Sequence, residues 1–267
     1  MKIYFLVVTY NRKSQFINLI KSIPKSWDDV EIVVNVYCNG QAELEYVRGV
    51  IDDKFDLGFT LNIFGSIENI GKTSALNVLL ESLPSSFDYC AFIDDDDQLS
   101  INNFSHVLKI LKKPSSKGKI LVFESESGSG VVEQIPCGVY DMFSVDGKKF
   151  CNTDKLIFIP NTGVRNYRFP TPLFLEKFCP EDALFLVFTQ NLKITYFNIV
   201  SIIKNYEPSG LTANYVKTIN SNPYSMIYYH AIRHIYLPNS KKNHIKFFLA
   251  INKYILIAIF KNLKLRL

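Results

Sequence analysis

The chain alternates short apolar runs with stretches that are apolar on one side only. Ile3 to Val8 carries no charge and is bounded by polar residues, the pattern of a buried strand. From Ser14 to Ile23 the period changes. Phe16, Ile17, Leu19, Ile20 and Ile23 fall on one helical face, and Pro24 closes the helix. Val30 to Tyr37 reads as a second strand, followed by a turn at Cys38-Asn39-Gly40. Glu43 to Ile51 reads as helix, Thr60 to Phe64 as a short strand, and Lys72 to Leu83 as a helix ending at Pro84. Tyr89 to Ile93 is again an apolar run. Asn103 to Leu111 is helical and Ile120 to Glu124 extended. Strands and helices in this alternation predict an α/β fold: a Rossmann-like, mostly parallel sheet flanked by helices.

Beyond Ser125 the pattern weakens. Gly, Ser and Asp are frequent up to Gly163, with short extended pieces such as Lys155 to Ile159, so loops and small strands that shape a pocket are expected. Asp182 to Thr189 reads as helix, Lys193 to Phe197 as strand, and Asn205 to Asn214 as a loop around Pro208-Ser209-Gly210. Pro238-Asn239-Ser240 reads as a hinge before a C-terminal helix.

Charge adds one asymmetry. The net formal charge is +5, yet from Lys241 to Leu267 every charged residue is basic: Lys241, Lys242, Lys246, Lys253, Lys261, Lys264 and Arg266. The remainder is close to neutral, which argues against a nucleic-acid binder. In the tail, Phe247 to Ile251 and Tyr254 to Phe260 are apolar apart from their flanking lysines. Such a segment suits either an anionic membrane surface or packing on the protein with its lysines solvated. No segment has the roughly 20 apolar residues of a membrane span. The apolar N-terminus is too short for a signal peptide, since Tyr10-Asn11-Arg12-Lys13 follows at once. The five cysteines are scattered without a CxxC pair, which fits buried thiols in a reducing compartment better than disulfides or zinc.

Four stretches carry candidate chemistry, with a histidine pair weighed beside them. Asp94-Asp95-Asp96-Asp97 places four carboxylates directly behind an apolar strand, where open α/β sheets bind ligands. Their mutual repulsion calls for a balancing charge, and a divalent cation that prefers oxygen supplies it; a solvated acidic turn is the alternative. Alternation along an extended chain would pair Asp94 with Asp96 on one side and Asp95 with Asp97 on the other. Thr9-Tyr10-Asn11-Arg12 gathers a hydroxyl, an aromatic face and a cation at a strand end, which suits a nucleotide or an ordinary polar turn. Gly71-Lys72-Thr73 resembles a phosphate loop, but the glycine that motif needs at 66 is Ser66. A helix N-terminus bearing Lys72 can still approach phosphate. Glu181-Asp182 opens a predicted helix, as dipole-favoured acids or as a general base. His230 and His234 share a helical face, but Ala231 stands where a zinc protease needs Glu, so a surface or phosphate-contacting role is expected.

Taken in order, these motifs resemble the family-2 glycosyltransferases of the GT-A fold, of the type that builds bacterial surface polysaccharides. Thr9-Tyr10-Asn11-Arg12 matches the opening motif, Asn69-x-Gly71-Lys72-x-x-Ala75-x-Asn77 the second, Asp94-Asp95-Asp96 the DxD metal motif, and Glu181-Asp182 the later ED motif. The family places an aspartate at the end of strand two, against the base. Here the stretch is Cys38-Asn39-Gly40-Gln41: the carboxylate is lost at position 38, and Asn39 is the residue left to reach the base.

The resemblance implies an inverting transferase that moves a sugar from a nucleotide-diphosphate sugar, with UDP favoured, to a glycan or lipid-linked acceptor. It implies Mn²⁺ or Mg²⁺ held by Asp94 and Asp96. Asp182 would be the catalytic base, with Glu181 and Asp95 binding substrate. Thr9, Tyr10, Arg12, Asn39, Asn69, Gly71, Lys72 and Asp94 would hold the nucleotide. Residues 1–215 would form the catalytic domain, with a donor half at 1–98 and an acceptor half at 99–215. Residues 216–267 would be helical and membrane-associating, at the cytoplasmic face. A nucleotidyltransferase with a similar acidic site, or a non-catalytic carbohydrate-binding protein at a membrane, are the rival readings.

Overall fold

The computed structural model describes residues 1–25, 27, 29–54, 57–127, 137–140, 155–164, 168–169, 176–181, 194–205, 214–236 and 241–264. Their strands are β1 (Lys2–Thr9), β2 (Glu31–Asn39), β3 (Thr60–Ser66), β4 (Tyr89–Asp94), β5 (Gln98–Leu99), β6 (Ile120–Ser127), β7 (Gly138–Tyr140), β8 (Leu156–Pro160) and β9 (Ile194–Lys204). The helices are α1 (Lys13–Ser22), α2 (Gln41–Lys54), α3 (Lys72–Glu81), α4 (Ile101–Leu111), α5 (Asn161–Val164), α6 (Tyr215–Ser221), α7 (Pro223–Tyr236) and α8 (Lys241–Lys264). The strands form one sheet in the order β3-β2-β1-β4-β8-β6-β9-β5, with β7 on β9. β3, β2, β1 and β4 are mutually parallel, β6 runs parallel to β9, and β8, β5 and β7 join antiparallel. The α/β sheet expected from the sequence is therefore present, mixed in its second half.

The reason lies in β1. Its residues are buried on both faces, as a central parallel strand requires. Ile3, Phe5 and Val7 pack with Phe16, Leu19 and Ile20 of α1 and Phe104, Val107 and Leu108 of α4. Tyr4, Leu6 and Val8 pack on the other face with Ala75, Leu76, Leu79 and Leu80 of α3. Each such burial contributes about 1.5–3 kcal/mol before entropy is counted, so the two apolar layers hold the first half of the sheet rigid. Register then sets the site. β1 pairs with β4 up to Val8↔Asp94, so the loop after Thr9 and the acids after Asp94 leave the sheet side by side.

Two strands run longer than periodicity indicated. β6 continues past Glu124 through two register shifts, with Glu124 almost fully buried. A carboxylate in that position signals a strand end to a pattern reader, but here Lys155 and the Tyr196 hydroxyl neutralise and satisfy it. β9 spans 11 residues instead of stopping near Phe197, and its end lies antiparallel to β5 with Gln98↔Ile203. This carries Lys204 to the sheet rim.

The three C-terminal helices share a small core of their own, with Met226, Tyr229, Ile232 and Tyr254 packed on Cys179. The His230 ring stacks on Tyr254 of α8 at 5.6 Å, which places it between helices. His234 meets His244 and Phe247 of the same helix. Burial, with Arg233, Lys253 and Lys246 nearby, pushes His230 down to about 4. The unfolded chain therefore binds the proton first, and stability falls as pH drops from about 6.5 toward 4. His230→Phe keeps an aromatic ring there and is expected to reduce this acid sensitivity. Thermal midpoints of both proteins across that window check it, and identical pH slopes count against it. No helix among the described residues is long and apolar enough to cross a membrane. Cys38, Cys90 and Cys179 are buried thiols as expected, whereas Cys137 is exposed; Cys151 lies outside the described residues.

Candidate active site

The four acids do not continue the strand. β4 ends at Asp94, and the Asp97 amide donates to the Asp94 carbonyl at 3.1 Å, closing a β-turn. The turn replaces strand alternation with a different grouping. Asp94, Asp96 and Asp97 each present an oxygen within 4.8 Å of the others'. Asp95 turns toward the β1–α1 loop, where it accepts from the Tyr10 amide (3.3 Å) and the Arg12 guanidinium (3.0 Å). The expected pairing of Asp95 with Asp97 is thus corrected by the turn, and Asp97 joins the candidate metal ligands.

Around this turn the four stretches meet. Arg12 also reaches Asp96 at 2.5 Å. Lys72, in the first turn of α3, lies 2.5 Å from Asp94 and 2.7 Å from Glu181, so one ammonium ties the second motif to the acidic run and to Glu181. Gly71, just before it, sits at φ +85°, and a Cβ there would come within 2.3 Å of the Lys177 carbonyl; only glycine fits. Asn69 accepts from the Gly71 amide and Asn39 from the Ile70 amide, so both side chains shape that turn. Thr9 is fully buried and donates to Glu43, while Tyr10 is 47% exposed at the site's edge. Asp182 lies outside the described residues.

Two contributors had no sequence signal. Lys204, at the end of β9, lies 2.6 Å from Asp97 and 3.8 Å from Asp94. A lone lysine 107 positions after its partner belongs to no motif. Glu43 reads as a dipole-favoured acid at a helix start, yet it is buried, accepting from the Thr9 hydroxyl at 2.8 Å and the Asn11 amide at 3.2 Å. It holds the loop that aims Arg12, with Asn11 in the left-handed region that Asn tolerates.

The charge balance has therefore been only partly left to a metal ion. Among the described residues, Asp94, Asp95, Asp96, Asp97 and Glu181 face Arg12, Lys72 and Lys204, five carboxylates against three cations. Burial alone would raise Asp94, but Lys72 and Lys204 outweigh it and hold that carboxyl well below its ordinary range. Burial lifts Asp95 to about 6 against the pull of Arg12, and Asp97 to about 7 against that of Lys204, with Asp94 adding to both. The carboxylates outnumber the cations by two groups, and this surplus with an all-oxygen donor set fits a hard divalent cation.

Solved structures provide the comparison. Residues 1–349 of S. aureus TarS superpose with a TM-score of 0.61 over 95% of this chain and 71% of that one, at 14% identity. The mannosyltransferase PcManGT from Pyrobaculum calidifontis, solved with GDP-Man and Mn²⁺, superposes at 0.58 over 96% of this chain and 73% of its own, also at 14% identity. This is the GT-A fold. At such identity the likeness within GT-A is one of architecture. The TarS fragment has also been solved with UDP and with UDP-GlcNAc. In another solved structure of S. aureus TarS the match covers 49% of that chain. No protein-family model matches the chain, and no curated protein matches it by sequence.

Proposed function

We propose that this chain is an inverting, metal-dependent glycosyltransferase that moves a sugar from a nucleotide-diphosphate sugar to a hydroxyl of a lipid-linked glycan. Its setting would be bacterial surface-polysaccharide synthesis at the inner face of the cell membrane. The observation that carries the reading is Lys72, whose ammonium joins the acidic turn to Glu181 on a GT-A sheet. The nucleotide sugars held by TarS and PcManGT, and the Mn²⁺ held by PcManGT, support the donor class and the metal.

Asp94 and Asp96, with Asp97, would hold Mn²⁺ or Mg²⁺. When bound, the cation neutralises charge that develops on the departing diphosphate. Arg12 and Lys72 add fixed positive charge beside the same phosphates. Thr9, Tyr10, Asn39, Asn69 and Gly71 shape the nucleotide side of the cleft, and Asp95 fixes Arg12. Asp182 would accept the proton of the attacking hydroxyl, and Glu181, anchored by Lys72, would orient sugar hydroxyls. One displacement from the face opposite the leaving group inverts the anomeric centre.

Incubation with a panel of nucleotide sugars and Mn²⁺ tests this. The reading requires release of a nucleoside diphosphate that rises when glycan acceptor is added. Pyrophosphate release from a nucleoside triphosphate would instead identify a nucleotidyltransferase, and binding without turnover a carbohydrate-binding protein.

A further inference from the structure

We infer that the outward face of α8 docks on an anionic lipid bilayer. This deepens the membrane-side location proposed above and rests on that reading for the acceptor, while the docking itself stands on α8.

The helix has two apolar faces. One is spent on the protein: Phe247, Tyr254 and Ala258 are buried, Tyr254 stacks on His230, and Lys261 and Asn262 bond to Ser221 and Tyr224. The opposite face is also apolar, broken at its middle by Asn252, whose amide donates back to the Phe248 carbonyl. Phe248, Leu249, Leu256, Ile259, Phe260 and Leu263 are 48–67% exposed. At 100° per residue they lie within an arc of roughly 120°, along about 22 Å of helix. A soluble surface rarely leaves such a stripe bare. Periodicity alone set packing on the protein against membrane contact for this segment; the burial pattern assigns each to its own face.

Charge selects the occupant. Lys246 and Lys253 are exposed along one edge of the stripe, and no acidic residue occurs between Lys241 and Leu267. A second copy of the chain would set these lysines in a helix interface with no carboxylate of α8 to answer them. A bilayer bearing anionic headgroups answers both the lysines and the apolar stripe, with the helix lying in the interface plane. The helix would thereby hold the catalytic sheet beside acceptors carried on lipid.

Co-sedimentation of the full chain tests this, with phosphatidylcholine vesicles and with vesicles containing about one-third phosphatidylglycerol. The chain is expected to sediment with the anionic vesicles. Lys246→Gln with Lys253→Gln should weaken binding about 20- to 30-fold, at about fivefold per lysine. Phe248→Ser with Leu256→Ser and Phe260→Ser should abolish it with no fall in the thermal midpoint, because these side chains face outward. Wild-type protein left in the supernatant, or a triple variant that sediments like wild type, overturns the inference. So does a dimer in light scattering that the triple variant dissolves, which would assign the stripe to a second copy. Nucleotide binding measured without lipid reports on the glycosyltransferase reading separately, so either can fail alone.

Discussion

Asp182→Asn is expected to bind nucleotide and metal as the wild type does and to lower sugar transfer by about 10²- to 10⁴-fold, the usual contribution of a general base. An amide keeps the shape of the side chain but cannot take the acceptor's proton. The assignment follows from the resemblance of Glu181-Asp182 to the ED motif. Glu181 is fixed 2.7 Å from Lys72, which itself holds Asp94, while Asp182 lies outside the described residues. Glu181→Gln should act differently: it loosens a positioning contact, so KM should rise more than kcat falls. Initial rates and calorimetric nucleotide binding on both variants separate the two roles. Unimpaired transfer by Asp182→Asn refutes the base assignment.

Lys204→Met should show the largest loss of stability. Its ammonium and the Asp97 carboxylate are 2.6 Å apart, with side-chain exposures of only 10% and 3%. Removing one partner of a buried pair strands the other, at about 3–5 kcal/mol. Burial already lifts Asp97 to about 7 with Lys204 in place, and loss of the lysine lifts it further. A carboxyl raised in the folded state loses stability as pH climbs through its folded value, so the deficit should be larger at pH 8 than at pH 6. Asp97→Asn in the same chain removes the stranded charge and should recover most of the deficit. Urea unfolding of the two single variants and the double variant, without added metal, provides the cycle. A Lys204→Met protein as stable as wild type at pH 8 would show that the pair does not hold the rim together.

The sequence made the first half of the molecule legible because its physics is local. β1, β2 and β4 are continuous apolar runs, and α1 and α3 each have one apolar face, so element type and order follow from neighbours along the chain. The candidate residues before Asp94 were legible for the same reason: they sit in the turns that these elements must make. What escaped depends on contacts between distant residues. The Asp94–Asp97 turn overrode strand alternation and exchanged the partners of Asp95 and Asp97. Glu124 ends an apolar run on paper but is buried, because Lys155 and Tyr196 arrive from other strands. Lys204 reaches the site only because β9 runs its full 11 residues beside β6 and β5. The outward stripe of α8 is present in the sequence, but which apolar face the protein covers is decided by α7.

The central claim is that the acids at the end of β4 hold a divalent cation which in turn holds a nucleotide diphosphate. Calorimetric titration of UDP and of GDP into the chain, with Mn²⁺ and then with EDTA, tests it most directly. Saturable binding of at least one nucleotide in Mn²⁺, lost in EDTA and lost in Asp96→Ala, is the expected result. Binding of equal strength in EDTA, or in Asp96→Ala, would contradict it.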